Sequence, residues 1–170
     1  DDYGRMTAMY TLRSTNVVAS DYSGLRSQIS AFDKTSLSYD QATGLLTNKL
    51  YADGKGPAYS YTSDGKLASR AWARTSGGAN LVTSYNYTNS GELVSIDYSD
   101  ATPDVTFTYN RLGQQKTITD GRGSRTFTYN DALQLTSETN SLGLIVRNYD
   151  SLGRNTGFSF GSDYSVTYGF

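Results

Sequence analysis

The side chains that could perform acid–base chemistry or covalent catalysis are few and scattered. The 170 residues include no histidine and no cysteine, which excludes a serine–histidine triad, a thiolate nucleophile and imidazole or thiolate zinc ligands. Glu92 and Glu138 are the only glutamates, and nothing in the sequence places them at the separation that a pair of glycosidase carboxylates requires. We therefore predict no catalytic residue and no cofactor, and we do not expect an enzyme.

Two further segments could be taken for ligand sites. Asp97, Asp100 and Asp104 form a small acidic cluster, and carboxylate oxygens suit calcium, but their spacing does not match an EF-hand loop. The run Asp120-Gly121-Arg122-Gly123 is rich in glycine but lacks the lysine of a phosphate-binding loop. We predict a solvated turn for the first segment, a hairpin turn for the second, and no metal site.

Trp72 is the only tryptophan, and Arg70 and Arg74 lie two residues to either side of it. An indole ring can stack on a sugar ring or accept a guanidinium group over its face. Trp72 is therefore a candidate glycan-binding residue. The alternative is that it anchors the neighbouring segment 74–80, which we predict to be a long flexible loop because it contains Ser76-Gly77-Gly78.

Charge and hydropathy exclude two classes of partner. Fifteen basic and sixteen acidic residues give a net charge of −1, whereas a nucleic-acid-binding protein normally carries a basic excess. No apolar run approaches the ~18–20 residues of a membrane helix, and no signal peptide opens the sequence. We predict no nucleic-acid partner and no membrane insertion. Aromatic residues make up 13% of the chain, which argues against disorder.

Tyrosines recur at a nearly regular spacing along the chain. Six units follow one another at steps of 22, 26, 22, 20 and 20 residues, in the form Tyr-[Asp/Asn/Thr]-x-x-Gly. The units begin at Tyr39, Tyr61, Tyr87, Tyr109, Tyr129 and Tyr149. The glycine comes four residues after the tyrosine at Gly65, Gly91, Gly113 and Gly153, and five residues after it in the first unit, at Gly44. Leu133 occupies the glycine position in one unit. A fixed period of this length indicates a repeat architecture.

Each unit has the pattern of one β-hairpin. An aromatic or apolar residue precedes most of the tyrosines by two positions, as in Phe107-Thr108-Tyr109, which places both side chains on one face of a strand. A second strand follows the glycine, for example residues 115–119, and a second turn closes the unit. We predict an all-β fold of 12–16 antiparallel strands, forming a long, strongly curved or spiralling sheet with little or no helix.

The whole chain, residues 1–170, is predicted to be a single repeat array. Residues 1–38 form an irregular unit, with Tyr22-Ser23-Gly24-Leu25 as its degenerate turn, and regular units follow from residue 39. Asp1-Asp2-Tyr3-Gly4-Arg5 matches Asp150-Ser151-Leu152-Gly153-Arg154 without the preceding tyrosine, and the other end stops before a glycine turn. The expectation is that both ends cut a repeat.

Tyr149-Asp150-Ser151-Leu152-Gly153-Arg154 resembles the YD-repeat signature of bacterial Rhs proteins, wall-associated repeat proteins, Tc-toxin C components and animal teneurins. Further copies lie at residues 1–5, 109–116 and 129–135, and the resemblance is weakest over residues 10–38. It implies a spiral of β-hairpins, which in bacterial members forms a hollow shell around a toxic C-terminal domain. The chain departs from those members in lacking Asp-Pro-x-Gly, the self-cleavage sequence, because its two prolines follow Gly56 and Thr102.

From this resemblance we expect a structural shell segment that encapsulates or displays a toxin or effector domain. The expected partners are adjacent repeats, an enclosed C-terminal domain of the parent protein and, through open sheet edges, other copies of the chain. The expected location is outside the cell or at its surface, in a bacterial parent protein. The alternative is a cell-surface module that binds glycans or proteins through exposed tyrosines and Trp72.

Overall fold

The computed structural model describes residues 1–12 and 32–170. These residues form one antiparallel sheet of 14 strands, in which every strand neighbours the strands before and after it in the chain. The strands are β1 Ala8–Leu12, β2 Phe32–Tyr39, β3 Leu46–Leu50, β4 Ala58–Tyr61, β5 Leu67–Ser76, β6 Ala79–Tyr87, β7 Leu93–Tyr98, β8 Val105–Tyr109, β9 Gln115–Asp120, β10 Gly123–Tyr129, β11 Leu135–Asn140, β12 Gly143–Tyr149, β13 Asn155–Phe160 and β14 Tyr164–Thr167.

The predicted all-β fold of antiparallel hairpins is confirmed. The described residues contain no helix, and so none that is long and apolar enough to span a membrane. The chain divides into two compact units, unit 1 at Asp1–Ser84 and unit 2 at Tyr85–Phe170, and the boundary lies inside β6. The predicted degenerate turn Tyr22-Ser23-Gly24-Leu25 lies outside the described residues.

The segment from the repeat tyrosine to its glycine, or to Leu133 after β10, forms the same connection after β4, β6, β8, β10 and β12 and one that is a residue longer after β2. We call each of these connections a tyrosine turn. In the turn after β8, the Gly113 amide donates to the Asn110 carbonyl at 3.1 Å, and the Asn110 amide donates to the Gln114 carbonyl at 2.8 Å. Gly113 has φ +77°, a conformation that glycine adopts without steric cost. A reverse turn closed by a left-handed residue is a common hairpin connection, which explains why glycine recurs at this position.

The register slips by one residue at five of the tyrosine turns. Thr108 pairs with Thr117, but Tyr109 pairs with Gln115, so one residue of the second strand is left over as a β-bulge. The same shift accompanies Tyr39, Tyr61, Tyr129 and Tyr149. In these five turns the repeat tyrosine stands at the bulge, next to the turn.

The segment 74–80 corrects the prediction of a long flexible loop. β5 continues to Ser76 and β6 begins at Ala79, with Thr75 paired to Asn80 and Ser76 to Ala79. Only Gly77 and Gly78 form the turn, and their φ angles of 58° and 84° are those of a two-residue hairpin turn. The 26-residue step therefore reflects the greater length of β5 and β6. The loop prediction was wrong because a pair of glycines suits a tight two-residue turn as well as a flexible loop.

The sheet has two different faces and no buried apolar core. Among the described residues no hydrophobic side chain is fully buried. In β8 and β10 burial alternates strictly: Phe107, Tyr109 and Phe127 are half-buried on what we call the aromatic face, and the threonines between them are exposed on the other. Side chains on the second face pair across strands, as the 2.6 Å contact between the hydroxyls of Thr108 and Thr117 shows.

Candidate functional site

The repeat tyrosines bind the backbone of the preceding hairpin. The Tyr129 hydroxyl donates to the Gln115 carbonyl at 2.8 Å, and Gln115 is the first residue of β9, two positions after Gly113. Tyr39, Tyr61, Tyr109 and Tyr149 make the same contact with the corresponding carbonyls of Met6, Leu46, Leu93 and Leu135 at 2.7–2.9 Å. Each bond therefore joins one repeat to the repeat before it.

Burial affects the pKa of two of these phenols, Tyr61 and Tyr109. Burial raises the pKa of Tyr109 above its usual value, and the charge of the nearby Glu92 raises it further. Burial likewise raises the pKa of Tyr61, with Tyr59 adding to the effect. A phenol that stays protonated keeps its O–H available as a donor.

A second contact between repeats comes from the residue after the glycine. The Gln114 side-chain amide donates to the Leu133 carbonyl at 3.0 Å, and the Gln134 amide donates to the Gly153 carbonyl at 2.7 Å. Arg5 occupies the equivalent position in unit 1, where its guanidinium lies 3.4 Å from the Asp40 carbonyl and 4.8 Å from the centre of the Tyr39 ring. These three contacts each link one tyrosine turn to that of the next repeat.

The Asp and Arg of the signature close their own turn. One oxygen of the Asp150 carboxylate accepts the amides of Leu152 and Arg154, each at 2.9 Å, and the other oxygen accepts Arg154 Nε at 2.7 Å. Asp1 and Arg5 repeat this arrangement, with an Nη2–carboxylate distance of 2.6 Å. The carboxylate satisfies turn amides that would otherwise depend on water.

Asparagine and glutamine form a neutral version of the same pair. The Asn110 side-chain oxygen accepts the amides of Leu112 and Gln114, and its amino group donates to the Gln114 side chain at 2.8 Å. Asn130 and Gln134 do likewise. The residues that follow the tyrosine by one and by five positions are therefore chemically matched within each of these turns.

Acid should weaken the turns that contain aspartate. The Arg154 backbone amide, followed by its side chain, lowers the pKa of Asp150 below its unfolded value of about 3.9. The ionised carboxylate therefore stabilises the fold above that unfolded pKa, and this stabilisation is lost as the pH falls through the lower, folded pKa. Asp150→Asn keeps the turn oxygen, so we expect it to reduce the difference between the urea midpoints at pH 7 and pH 3. An equal reduction in Asp131→Asn, an exposed carboxylate of the preceding turn, would contradict this cause.

Leu133 stands where the other turns have glycine. Its φ is 64°, the one left-handed value among the described residues that are not glycine, and the Leu133 amide still donates to the Asn130 carbonyl at 2.9 Å. A left-handed residue with a side chain costs ~1–2 kcal/mol, and glycine returns ~0.5–1 kcal/mol of that as chain entropy. Leu133→Gly should therefore raise the free energy of unfolding in urea by ~0.5–1 kcal/mol.

Leu112 is the matched control for this substitution. Like Leu133 it is an exposed leucine in a tyrosine turn, but its φ is not positive. Leu112→Gly should therefore destabilise the protein slightly, because glycine adds only unfolded-state entropy there. Two substitutions of the same sign would show that backbone strain at Leu133 is not the cause.

Trp72 is enclosed by arginine. The Arg70 guanidinium lies 3.6 Å from the centre of the Trp72 ring system, and that of Arg74 lies 5.4 Å away. The indole N–H donates to the Thr83 hydroxyl at 2.9 Å, and Thr83 is 2% exposed. Of the two contacts considered for Trp72, the structure contains the cation–π contact. Its use in binding a sugar remains a hypothesis.

Glu92 and Glu138, the two carboxylates considered for catalysis, lie in different hairpins, whereas Asp97, Asp100 and Asp104 belong to the single hairpin of β7 and β8. Glu92 accepts the Thr88 hydroxyl within its own turn, which lowers the pKa of Glu92. Glu138 faces Arg147 at 4.0 Å. Asp97 accepts the Asn86 side chain at 2.6 Å, and Asp104 accepts the Tyr98 amide at 2.8 Å. Within residues 1–12 and 32–170, no three acidic, histidine or cysteine side chains cluster in a way that could hold a metal.

The sequence did not reveal which main-chain carbonyls accept the bonds from the tyrosine hydroxyls and the glutamine side chains, nor that the glutamines donate to the next repeat. The acceptors are main-chain carbonyls, which no residue type marks. The donor position was visible as a pattern, because the pairs Asp1/Arg5, Asn110/Gln114 and Asp150/Arg154 match within each turn. That matching explains the closure of one turn, but the reach of Gln114 to the next repeat required the structure.

No family model matches the sequence, and no curated protein matches it. Among solved structures, similarity extends to a chain in the crystal structure of TcdB2-TccC3-TEV, with 16% identity and a TM-score of 0.48. Others occur in the crystal structure of TcdB2-TccC3, with 16% identity and 0.47, and in the Photorhabdus luminescens Tc holotoxin pore with mutated TccC3, with 17% identity and 0.46. Each match covers 94% of this chain and 11% of the other.

Proposed function

We propose that this chain is a segment of the wall of a YD-repeat shell, which encloses or displays another domain of its parent protein. The observation that carries the proposal is the bond from five of the six repeat tyrosines to the main chain of the preceding repeat. The polar side chains of the tyrosine turn, including Asp150, Arg154 and Gln134, are likewise used within the array. Asp150 and Arg154 close their own turn, and Gln134 reaches the turn of the next repeat.

The absence of a buried core among the described residues supports the same reading. A lone sheet gains little from apolar burial, so its strands depend on pairing along the array. The first and last described strands, β1 and β14, each have one strand neighbour within the described residues. We propose adjacent repeats of the parent protein as their partners, and association between copies where such repeats are missing.

The parent reading frame tests encapsulation. We expect further Tyr-x-x-x-Gly units on both sides of these 170 residues, then Asp-Pro-x-Gly and an unrelated C-terminal domain, in a secreted or surface-exposed bacterial protein. A frame with no further repeats and no enclosed domain would contradict the proposal. The arrangement of residues 1–38 as one irregular unit and of both ends as cut repeats belongs to the same proposal and is read from the same frame.

The glycan-binding alternative is tested on the isolated chain. If Trp72 binds sugars, the protein should give signals on a glycan array that Trp72→Ala abolishes. The wall proposal instead expects no such signals, together with association that grows with concentration in sedimentation analysis. The position of Arg70 over the Trp72 ring favours the wall, because a sugar would have to displace the guanidinium to reach that surface.

A further inference from the structure

The aromatic face of unit 1 carries a group of cations that lie over aromatic rings. Besides the pair of arginines at Trp72, Arg70 lies 5.8 Å from the centre of the Tyr59 ring, and Lys49 lies 5.2 Å from that of Tyr51. Register places Lys49 opposite Leu37 and Arg70 opposite Tyr59, so both cations are on the aromatic face. We call Lys49, Arg70, Trp72 and Arg74 the cationic patch.

No acidic residue in the same strands balances this charge. β3, β4, β5 and β6 contain Lys49, Arg70 and Arg74 and no aspartate or glutamate. The nearest acids in sequence are in turns: Asp53 accepts the Lys55 amide at 3.0 Å, and Asp64 pairs with Lys66. Arg70 Nε is also buried without a hydrogen-bond acceptor among the described residues. A buried donor without an acceptor costs free energy, which an incoming anion can relieve by rearranging the guanidinium.

The patch adjoins an open strand edge. β4 begins at Ala58, whose partner is Ala71, so residues 72–76 of β5 continue beyond the end of β4. On their other side these residues belong to the long hairpin with β6, in which pairing is interrupted after Ala71 and resumes at Thr75. The hairpin is exposed from Arg74 to Asn80. An unpaired strand segment offers main-chain groups to an extended peptide, which would continue the line of β4.

We propose that the cationic patch and this edge bind an extended peptide segment rich in acidic residues, supplied by another protein. Its main chain pairs with residues 72–76, and its carboxylates accept bonds from the guanidinium groups of Arg70 and Arg74. The planar guanidinium fork matches a carboxylate in a bidentate contact, and stacking on Trp72 holds the fork in place.

Two observations favour a peptide over other anionic polymers. Three cations are few for a nucleic acid or a sulfated glycan, whose binding depends on many phosphate or sulfate contacts. The open main-chain edge serves an extended peptide and gives a polysaccharide no equivalent partner. In an extended peptide, alternate side chains share one face, so glutamates at every second position would all face the patch.

The experiment uses the full chain and Trp72 fluorescence, which reports on the patch because this is the only tryptophan. The probe is a seven-residue peptide of alternating threonine and glutamate, and the reference is the same peptide with glutamine in place of glutamate. We expect the glutamate peptide to bind about tenfold more tightly at low ionic strength, with the preference shrinking as salt is added. Equal affinity for the two peptides would overturn the proposal.

Variants locate the effect. Arg74 is exposed, so Arg74→Gln should fold normally and weaken binding of the glutamate peptide about fivefold. Lys34→Gln is the matched control, because Lys34 is an exposed cation of unit 1 outside the patch, and it should change affinity less than about twofold. Equal effects of the two variants would overturn the proposal.

Other anions complete the test. Stronger binding of a sulfated oligosaccharide or of single-stranded DNA, lost in Arg74→Gln, would replace the acidic peptide by that class of ligand and overturn the proposal. The wall function does not depend on this result, because it rests on the tyrosine turns. Failure of peptide binding is therefore distinguishable from failure of the wall proposal, which the parent reading frame decides.

Discussion

Gly56→Ala should lower the free energy of unfolding by ~3 kcal/mol or more, the range of severe overpacking. A methyl group at Gly56 would overlap the carbonyl oxygen of Lys49 and lie 3.0 Å from the Leu50 Cα. These are main-chain atoms of β3, and Lys49 is held close to Gly56 because its amide donates to the Pro57 carbonyl at 3.0 Å. Only separation of β3 from β4 makes room. Urea unfolding followed by far-ultraviolet circular dichroism measures the loss.

Two other glycines serve as controls for this substitution. Gly169 has no positive φ and open space around its Cα, so Gly169→Ala should be neutral or stabilising by up to ~1 kcal/mol. Gly65 has open space but φ +82°, so Gly65→Ala should cost ~1–2 kcal/mol through backbone strain alone. The loss of unfolding free energy should increase from Gly169→Ala through Gly65→Ala to Gly56→Ala. This order separates the effects of unfolded-state entropy, backbone strain and atomic overlap. A Gly56→Ala protein as stable as Gly169→Ala would contradict the close approach of the two chains.

The sequence predicted the hairpins well, because each tyrosine turn combines several local signals. The second strand expected at residues 115–119 is β9, Gln115–Asp120, and the hairpin turn expected at Asp120–Gly123 joins β9 to β10. Alternating threonine and aromatic residues favour strands, and asparagine or aspartate before glycine favours turns. These preferences act within a few residues, so one sequence carries them without knowledge of the rest of the fold.

The contacts between repeats were harder to predict, for a physical reason in each case. Tyr129 shows its hydroxyl in the sequence, but its acceptor at Gln115 is a carbonyl that depends on the register shift at the bulge. The close approach of Gly56 to Lys49 is also invisible in the sequence, because nothing distinguishes a glycine required by a tight contact from a glycine in a flexible turn. Segment 74–80 was wrongly predicted as a loop, because glycine pairs suit both loops and two-residue turns.

Replacing three repeat tyrosines of unit 2 by phenylalanine should have the next-largest effect. Tyr109→Phe, Tyr129→Phe and Tyr149→Phe together keep every ring and remove three hydroxyls that bind the main chain at 2.8–2.9 Å. One such bond contributes ~1 kcal/mol net, so the triple variant should lose ~3 kcal/mol of unfolding free energy if the sites add. Urea unfolding of the triple variant and of each single variant measures both the total and its additivity.

Tyr164→Phe is the control for these substitutions. It removes a phenol hydroxyl from an exposed residue of the same unit, and its ring contact with Phe158, at 5.9 Å between centres, does not involve that hydroxyl. We expect a change within ~0.5 kcal/mol. If the three repeat tyrosines cost no more than Tyr164, the hydroxyl bonds do not hold the array together, and the observation that carries the wall proposal loses its force.

Hydrogen exchange distinguishes a bond between repeats from one that stabilises only its own hairpin. Tyr129 ends β10 and its acceptor opens β9, so its loss should speed amide exchange in β9 as well as in β10 and β11. In an array stabilised by nearest neighbours, the effect should fade in more distant strands such as β13. Uniform acceleration across unit 2 would indicate one cooperative block, and acceleration confined to β10 and β11 would show that the tyrosine does not couple successive repeats.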